Sequence, residues 1–269
     1  MAPQRKANRH LGDSQRGRSG PSLVFVDADN TLWDTNALYA TAQLRLLAGV
    51  ERHVGTVAPA PDRLAFVRDV DQRLAEKHHR QLRYPVRLLI RGLEHVLSGL
   101  SAERAARLAW SRASDPGRLS AADTAELESE FAYGLSAIPR LRRGVRRGLS
   151  ALRQLNDSVV VLTEGSLARA QATAAALAID SYLERIVEVK KERPTLARMH
   201  KALGERTHVF MVGDQLERDI RPAQQAGFTT VFFPGAFRPR WENENDDIVP
   251  DYVIHSFADV PTIVAQNRD

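Results

Sequence analysis

The chain has 269 residues, of which 43% are hydrophobic and 26% are charged, and it contains no cysteine. This composition is typical of a globular protein and excludes a disordered or fibrous chain. The missing cysteines exclude disulfides, thiolate metal sites and cysteine nucleophiles. No apolar run approaches the roughly 20 residues of a membrane-spanning helix. The start of the chain lacks the apolar core of a secretory signal, so we expect a cytoplasmic protein with no membrane association.

The formal net charge of +5 is concentrated in the first 20 residues. This segment carries five basic residues against one acid, Asp13, a net of +4, so the rest of the chain carries about +1. Because residues 1–20 are polar and show no periodicity, they are predicted to form a disordered basic arm. An enzyme of polynucleotides more often carries its positive charge on the folded body, so nucleic acid is not the expected partner. An arm that binds nucleic acid or an acidic partner is the alternative.

The first regular element after this arm is predicted to be a buried parallel strand. Residues 23–26 form a short continuous apolar run, and residues 27–31 after it favour a turn. From about residue 36 the apolar spacing becomes helical and stays so up to residue 137. Helices are predicted over residues 37–47, 62–80, 85–100, 102–113 and 121–135. We therefore predict an all-helical segment over residues 35–137.

Strand and helix patterns alternate after residue 138. Strands are predicted at residues 158–162, 186–189, 208–212, 229–233 and 252–254. Helices are predicted at residues 145–155, 167–178, 195–203 and 219–226. This alternation predicts a parallel sheet with helices on both faces. The chain is thus predicted to form one α/β core, from residues 21–34 and 138–269, with the helical segment inserted after the first strand.

Residues suited to phosphate chemistry follow four of the predicted strands. They are Asp27 and Asp29 after the first strand, Thr163 after the second, Lys190 or Lys191 after the third, and Asp214 with Asp219 after the fourth. Ligands of open α/β sheets bind outside the carboxyl ends of the strands. We therefore expect these side chains to converge on one edge of the sheet.

Each residue type has a use in phosphoryl transfer. One of the carboxylates of Asp27 and Asp29 can attack phosphorus, while the other gives a proton to the leaving oxygen and later activates water. Two carboxylates repel a phosphate, so a hard divalent cation such as Mg²⁺ is expected, held in part by Asp214 and Asp219. The Thr163 hydroxyl and a lysine can contact the remaining phosphate oxygens.

These residues carry a resemblance to a known family. Residues 27–33 (DADNTLW) resemble the first motif of the haloacid dehalogenase superfamily of phosphatases, Thr163 fits the second motif and a lysine at 190–191 the third. Residues 213–219 (GDQLERD), followed by Ala226 and Gly227, resemble the fourth. Order and spacing agree over residues 23–235. The resemblance implies a Rossmann-like, doubly wound parallel sheet with a helical cap inserted between the first and second motifs.

The resemblance also implies roles for the residues. Asp27 would be the nucleophile and Asp29 the general acid and base. Mg²⁺ would be held by Asp27, by Asp214 and by the carbonyl oxygen of Asp29. Asp219 would be a further ligand or a neighbour of the ligands. The spacing to the next helix favours Lys191 over Lys190.

Two positions depart from the family pattern. Asn30 stands where many relatives have glycine, and asparagine tolerates unusual turn dihedrals. Glu164 follows Thr163 where asparagine is frequent, so the contacts on the substrate side are expected to differ.

Other conspicuous residues have simpler interpretations. Trp33 is expected to pack at the junction of core and cap rather than touch substrate. Five arginines before and within the helix at 145–155 are expected on its surface: Arg140, Arg142, Arg143, Arg146 and Arg147. The arginines at 80, 83, 87 and 91 are expected on a solvated face of the cap, and an anion-receiving face is the alternative.

The sequence therefore predicts a Mg²⁺-dependent phosphatase of a small phosphorylated metabolite, because a helical cap can close over such a substrate and exclude water. A phosphomutase, which returns the phosphate to bound substrate, is one alternative. A non-catalytic binding protein on the same fold is another, and it would have lost a catalytic position. Dehalogenation is not favoured, because displacement of halide needs no Mg²⁺ and no leaving-group acid like Asp29.

Overall fold

A parallel sheet forms the centre of the α/β part of the chain. The computed structural model describes residues 4–5, 21–78, 84–111, 118–204, 208–240 and 247–267. Within these residues the sheet has seven strands: β1 (Gln4–Arg5), β2 (Leu23–Asp27), β3 (Ser158–Thr163), β4 (Arg185–Glu188), β5 (Val209–Gly213), β6 (Thr229–Phe232) and β7 (Tyr252–Val253). Their order across the sheet is β1-β7-β6-β5-β2-β3-β4.

The order of the strands places a switch point at the middle of the sheet. Strand β2 pairs in parallel with both β3 and β5. Strands β3 and β4 lie on one side of β2, and β5, β6 and β7 lie on the other, all in parallel. The chain therefore winds away from β2 in both directions, as a doubly wound sheet does. This confirms the predicted α/β fold, and ligands are expected at the carboxyl end of β2.

The helices alternate with the strands in the core, and in the described residues of the inserted segment they follow one another with no strand between them. In chain order they are α1 (Thr35–Val54), α2 (Arg63–Glu76), α3 (Val86–Leu97), α4 (Ala102–Trp110), α5 (Ala121–Leu135), α6 (Val145–Gln154), α7 (Leu167–Ala176), α8 (Arg193–Leu203), α9 (Arg221–Gln225) and α10 (Val260–Gln266). Short 3₁₀ helices form at Asp180–Tyr182 and Phe257–Asp259, and a π-helix at Leu216–Ile220.

Alternation along β2 explains why helices cover both faces of the sheet. Successive side chains of a strand point to opposite faces. Val24 and Val26 belong to a buried cluster that includes residues of α6, α7 and α10. Phe25 belongs to a second cluster that includes residues of α8 and α9. A strand that is apolar on both faces is thus buried on both, as its continuous apolar run predicts.

The chain forms two compact units. The first comprises Met1–Asn36, Ile138–Arg238 and Glu242–Asp269, and the second comprises Ala37–Ala137 and Pro239–Trp241. Helices α2 to α5 and most of α1 belong to the second unit, where they surround a separate buried apolar cluster. No helix in the described part of the chain is long and apolar enough to cross a membrane.

Some helix ends differ from the sequence predictions. Helix α1 continues past residue 47 to Val54, because Val50 keeps its apolar face buried, and Gly55 with φ 73° ends it. Asp62 is the N-cap of α2 rather than its first residue, and its carboxylate accepts from the backbone N–H of Ala65 at 2.8 Å. Helix α10 was not predicted.

The predicted basic arm is described at two residues. Gln4 and Arg5 form β1, which pairs antiparallel with β7 at the edge of the sheet and so differs from the expected disorder. The remaining residues of the segment 1–20 lie outside the described residues. The same holds for the arginines at 80 and 83 and for the predicted helix end at 112–113.

Candidate active site

The carboxyl ends of the central strands bring the predicted site residues to one edge of the sheet. Asp27 is the last residue of β2 and Thr163 the last residue of β3, and the two strands pair in parallel. Asp214 directly follows β5, which pairs with the other side of β2. These side chains are buried, so the switch point of the sheet carries a polar site inside the protein.

Three carboxylates form a cluster at this edge. Asp27, Asp214 and Asp219 each contribute one carboxylate oxygen, and the three oxygens lie within 4.8 Å of one another. Asp219 lies within the π-helix Leu216–Ile220. The sequence predicted a helix only from residue 219 onward. A Cβ atom placed on Gly213 would lie 2.3 Å from the Cβ of Asp219, so only glycine allows this approach.

One ammonium group lies within the cluster. Lys191 is 7% exposed, and its Nζ donates hydrogen bonds to Oδ1 of Asp27 and Oδ1 of Asp219. The second oxygen of Asp219 accepts from the backbone N–H of Gln215 at 3.0 Å. Lys190 is exposed on the surface. Of the two adjacent lysines, the structure therefore brings Lys191 to the acidic cluster.

The pKa values of these groups reflect burial and shared charge. Burial raises the pKa of Asp27 to about 7; the nearby Lys191 opposes this rise and the charge of Asp219 adds to it. Burial by itself would lower the pKa of Lys191, but the carboxylates of Asp219 and Asp27 outweigh it and the pKa is raised. The cluster thus holds more negative than positive charge in a buried place.

The Asp29 carboxylate is not among the three clustered acids. Its Oδ1 accepts a hydrogen bond from the indole N–H of Trp33 at 3.0 Å. Thr163 lies on the neighbouring strand, and its Oγ1 accepts from the backbone N–H of Gly165 at 3.0 Å. A Cβ placed on Gly165 would lie 3.3 Å from Oγ1 of Thr163 and 3.7 Å from Oδ2 of Asp29. The side chains of Asp29 and Thr163 therefore both lie beside Gly165 and form a second part of the site.

Asn30 shapes the turn that carries both acids of the first motif. Its φ of 62° is left-handed, a conformation that glycine or asparagine adopts. Its Oδ1 accepts from the Thr35 hydroxyl at 2.9 Å and from the backbone N–H of Asn36 at 2.8 Å. Asparagine thus replaces glycine here and also caps the first turn of α1.

Arg142 is a site neighbour that the sequence prediction placed wrongly on the surface. Its guanidinium donates to the carbonyl of Asn30, to that of Phe233 at 3.0 Å and to that of Pro234 at 2.7 Å. It also lies 3.7 Å over the Phe233 ring. The physical reason is that Arg142 lies in the loop before α6, directly after the β-bridge of Leu141 with Trp33, and not on the surface of the helix. The other four arginines of the group are exposed, as predicted.

Glu164 was expected to change the contacts on the substrate side. In the structure its carboxylate contacts other residues of the protein. Oε1 accepts from the backbone N–H of Lys191 at 3.3 Å, and Oε2 forms an ion pair with Arg218 at 2.9 Å. These contacts join the loops of the second, third and fourth motifs. The departure at Glu164 was visible in the sequence, but its contact with Arg218 was not.

Comparison with known proteins identifies the family of the chain. The sequence matches the family model of haloacid dehalogenase-like hydrolases over residues 21–227. A glyceraldehyde 3-phosphate phosphatase from Pyrococcus abyssi is 26% identical over 220 residues, which cover 78% of this chain and 80% of that protein.

Two solved structures share the fold. The hydrolase YfnB from Bacillus subtilis, bound to magnesium, has a TM-score of 0.60 and 19% identity, covering 91% of this chain and 99% of that one. A haloacid dehalogenase-like family hydrolase from Xanthomonas campestris has a TM-score of 0.59 and 22% identity, covering 94% of each chain. The family match spans more than half of the chain, including every residue from Asp27 to Asp219. The chain belongs to the haloacid dehalogenase-like hydrolase family.

Proposed function

We propose that this chain is a Mg²⁺-dependent phosphatase that hydrolyses a small phosphomonoester through an aspartyl-phosphate on Asp27. The observation that supports this most is the buried cluster of Asp27, Asp214 and Asp219, in which the ammonium of Lys191 pairs with Asp27 and Asp219. Burying more acids than bases costs stability, so such a cluster at a ligand-binding edge favours a catalytic role.

The donor atoms of the cluster fit Mg²⁺. Three carboxylate oxygens lie close together, and Mg²⁺ prefers hard oxygen ligands. Asp27, Asp214 and Asp219 would hold the ion, together with the backbone carbonyl of Asp29. When bound, Mg²⁺ would offset the negative charge of the acids and polarise the phosphoryl group.

The reaction has two steps, and the acids of the first motif act in both. In the first, a carboxylate oxygen of Asp27 bonds to phosphorus, the bond from phosphorus to the leaving oxygen breaks, and Asp29 gives its proton to that oxygen. In the second, Asp29 takes a proton from water, the water oxygen bonds to phosphorus, and the bond to Asp27 breaks. Inorganic phosphate leaves, and both aspartates return to their starting states.

Thr163 and Lys191 bind rather than react in this proposal. The hydroxyl of Thr163 accepts from Gly165 and can still donate its proton to a phosphate oxygen. Lys191 holds Asp27 and Asp219 in place and supplies positive charge beside the phosphate. Both residues would stabilise the charge that develops on the phosphoryl oxygens.

The substrate class is a small phosphorylated metabolite. A relative at 26% identity acts, by its name, on glyceraldehyde 3-phosphate, a small phosphomonoester. Outside the first 20 residues the chain is nearly neutral, which does not favour a nucleic-acid polymer. Small sugar and acid phosphates are therefore the first candidates to assay.

A metabolite screen tests this proposal. The protein is assayed against phosphorylated metabolites with Mg²⁺ and after exhaustive EDTA treatment, and released phosphate is measured. We expect turnover of at least one ester with Mg²⁺ and its loss with EDTA. Full turnover after EDTA would refute the metal dependence. An isomerised phosphoester that forms without free phosphate, and only with a sugar bisphosphate, would indicate a phosphomutase instead.

A further inference from the structure

The proposed acid Asp29 has a buried partner to which the proposed reaction assigns no role. The indole N–H of Trp33 donates to Oδ1 of Asp29 at 3.0 Å. We propose that Trp33 is a positioning residue that holds the Asp29 carboxyl with Oδ2 toward the phosphate side of the site, so that Oδ2 is the oxygen that transfers protons. This inference rests on the proposed phosphatase function.

The donor is fixed in place by its surroundings. Trp33 is 2% exposed and belongs to the main buried cluster of the core. Its backbone carbonyl accepts from the N–H of Asn30 at 2.6 Å, which closes the turn that begins at Asp29. Trp33 also forms an isolated β-bridge with Leu141. Because burial of the Trp33 side chain and these backbone contacts fix the position of the residue, its indole N–H points in one direction.

The indole N–H determines which oxygen of the Asp29 carboxyl acts as a hydrogen-bond acceptor. An indole N–H donates and cannot accept, so the bonded oxygen of Asp29 must be the acceptor. A protonated carboxyl accepts more strongly at its carbonyl oxygen than at its hydroxyl oxygen, so the Trp33 bond favours the proton of Asp29 on the other oxygen, Oδ2.

The free side of the carboxyl faces the residue proposed to bind phosphate. A Cβ on Gly165 would lie 3.7 Å from Oδ2 of Asp29 and 3.3 Å from Oγ1 of Thr163. Oδ2 and the Thr163 hydroxyl thus border the same space beside a residue with no side chain. In the first step Oδ2 loses its proton to the leaving oxygen, and in the second it takes one from water, while Oδ1 keeps the Trp33 bond.

The test removes the N–H and keeps the ring. Trp33 is replaced by β-(3-benzothienyl)alanine, in which sulfur stands where the indole has N–H, and separately by phenylalanine. Trp110→Phe is the matched control, because the Trp110 indole also donates a partly buried hydrogen bond, to the Leu74 carbonyl at 3.0 Å in the second unit. Activity is measured on an alkyl phosphate and on p-nitrophenyl phosphate, and folding is followed by thermal unfolding.

We expect both Trp33 variants to lose about tenfold in kcat on the alkyl phosphate and at most about twofold on p-nitrophenyl phosphate, whose leaving oxygen needs little acid help. Trp110→Phe should leave the ratio of the two rates unchanged. In an Asp29→Asn background the Trp33 replacement should have no further effect, because Trp33 acts through Asp29.

Three outcomes would overturn the inference. Equal losses on both substrates, or a loss that persists in the Asp29→Asn background, would give Trp33 a packing role alone. A faster alkyl phosphate reaction would show that Trp33 holds Asp29 away from the substrate. If the unsubstituted protein turned over neither ester, the proposed function itself would fail, and this inference with it.

Discussion

Both units of the molecule bury carboxylates, but they supply them with different partners. In the second unit Glu51 accepts from the backbone N–H of Ala58 at 2.8 Å and forms an ion pair with Arg63. Glu94 accepts from two consecutive backbone N–H groups, at residues 118–119, at 2.9 and 2.8 Å. Each of these acids has donors of its own and joins a helix to a following loop. Both acids therefore have a structural role, because they link separate segments of the second unit.

Two of the acids at the core edge share one donor, and Asp219 also accepts from the backbone N–H of Gln215. Asp27 and Asp219 bond to the same ammonium of Lys191, and Asp214 lies beside them. The pKa values follow this difference. Burial opposes the ionisation of Glu51, but the bonds from Arg63 and Ala58 outweigh it and the pKa is lowered. Burial raises the pKa of Asp27 to about 7. A buried acid with its own donors indicates structure, whereas two acids that share one ammonium beside a third acid indicate a reactive site.

The largest expected effect is at the nucleophile. Asp27→Asn keeps the shape of the side chain but gives a poor nucleophile, so kcat should fall by roughly 10⁴-fold or more. The melting temperature should change by no more than about 3 °C, because the substitution also removes a buried charge. Steady-state kinetics and thermal unfolding measure the two effects. Residual activity within tenfold of the unsubstituted protein would remove Asp27 from the reaction.

The next effect separates the two adjacent lysines. Lys191→Met leaves Asp27 and Asp219 without their shared ammonium and should lower kcat by about 10² to 10³. Lys190→Met is the matched control, because Lys190 is exposed and one residue away. Its kinetics should stay within about twofold. Similar losses in the two variants would contradict the assignment of Lys191 to the site.

In the second unit the expected effect is on stability rather than on activity. Glu94→Ala leaves two backbone N–H groups without their acceptor and should lower the free energy of unfolding by about 2 to 4 kcal/mol. Glu126→Ala, at an exposed position of α5, is the control and should change it by less than about 0.5 kcal/mol. Well below the melting temperature, kcat should be unchanged in both. A loss of kcat without a loss of stability would mean that Glu94 acts in the reaction.

The smallest effect is a pH dependence at Glu51. Its folded-state pKa lies below the ordinary 4.5, so its contribution is present above that pH and is lost as the pH falls through the folded value. Glu51→Gln should therefore differ from the unsubstituted protein by a constant free energy of unfolding between about pH 6 and 8, and by less at lower pH. Denaturant titrations at several pH values measure this. A difference that grows on acidification would contradict the lowered pKa.

The sequence was informative where residue type and strand order decide the result. Continuous apolar runs predicted the buried strands, and polar residues at their ends predicted which side chains share an edge. The carboxyl ends of parallel strands lie at one edge of a sheet, so the meeting of Asp27, Thr163 and Asp214 there could be expected without knowledge of individual contacts.

The side-chain partners could not be predicted, because they depend on contacts between loops far apart in the sequence. Arg142 meets the carbonyl of Asn30 across 112 residues, and one arginine among five gives no sign of that contact. Trp33 is only four residues from Asp29, yet the direction of its N–H depends on the geometry of a turn of which the sequence predicts only the presence. Local pattern predicts where a residue lies more readily than what it bonds to.

The central claim is a phosphoryl group carried by Asp27, and trapping it is the most direct measurement. The protein is mixed with a substrate from the metabolite screen and Mg²⁺, quenched in acid within the first turnover, digested and analysed by mass spectrometry. We predict an added phosphoryl mass on the peptide that contains Asp27, located on that residue, and none in Asp27→Asn. A phosphoryl group on a serine or histidine, or none during rapid turnover, would contradict the proposed mechanism.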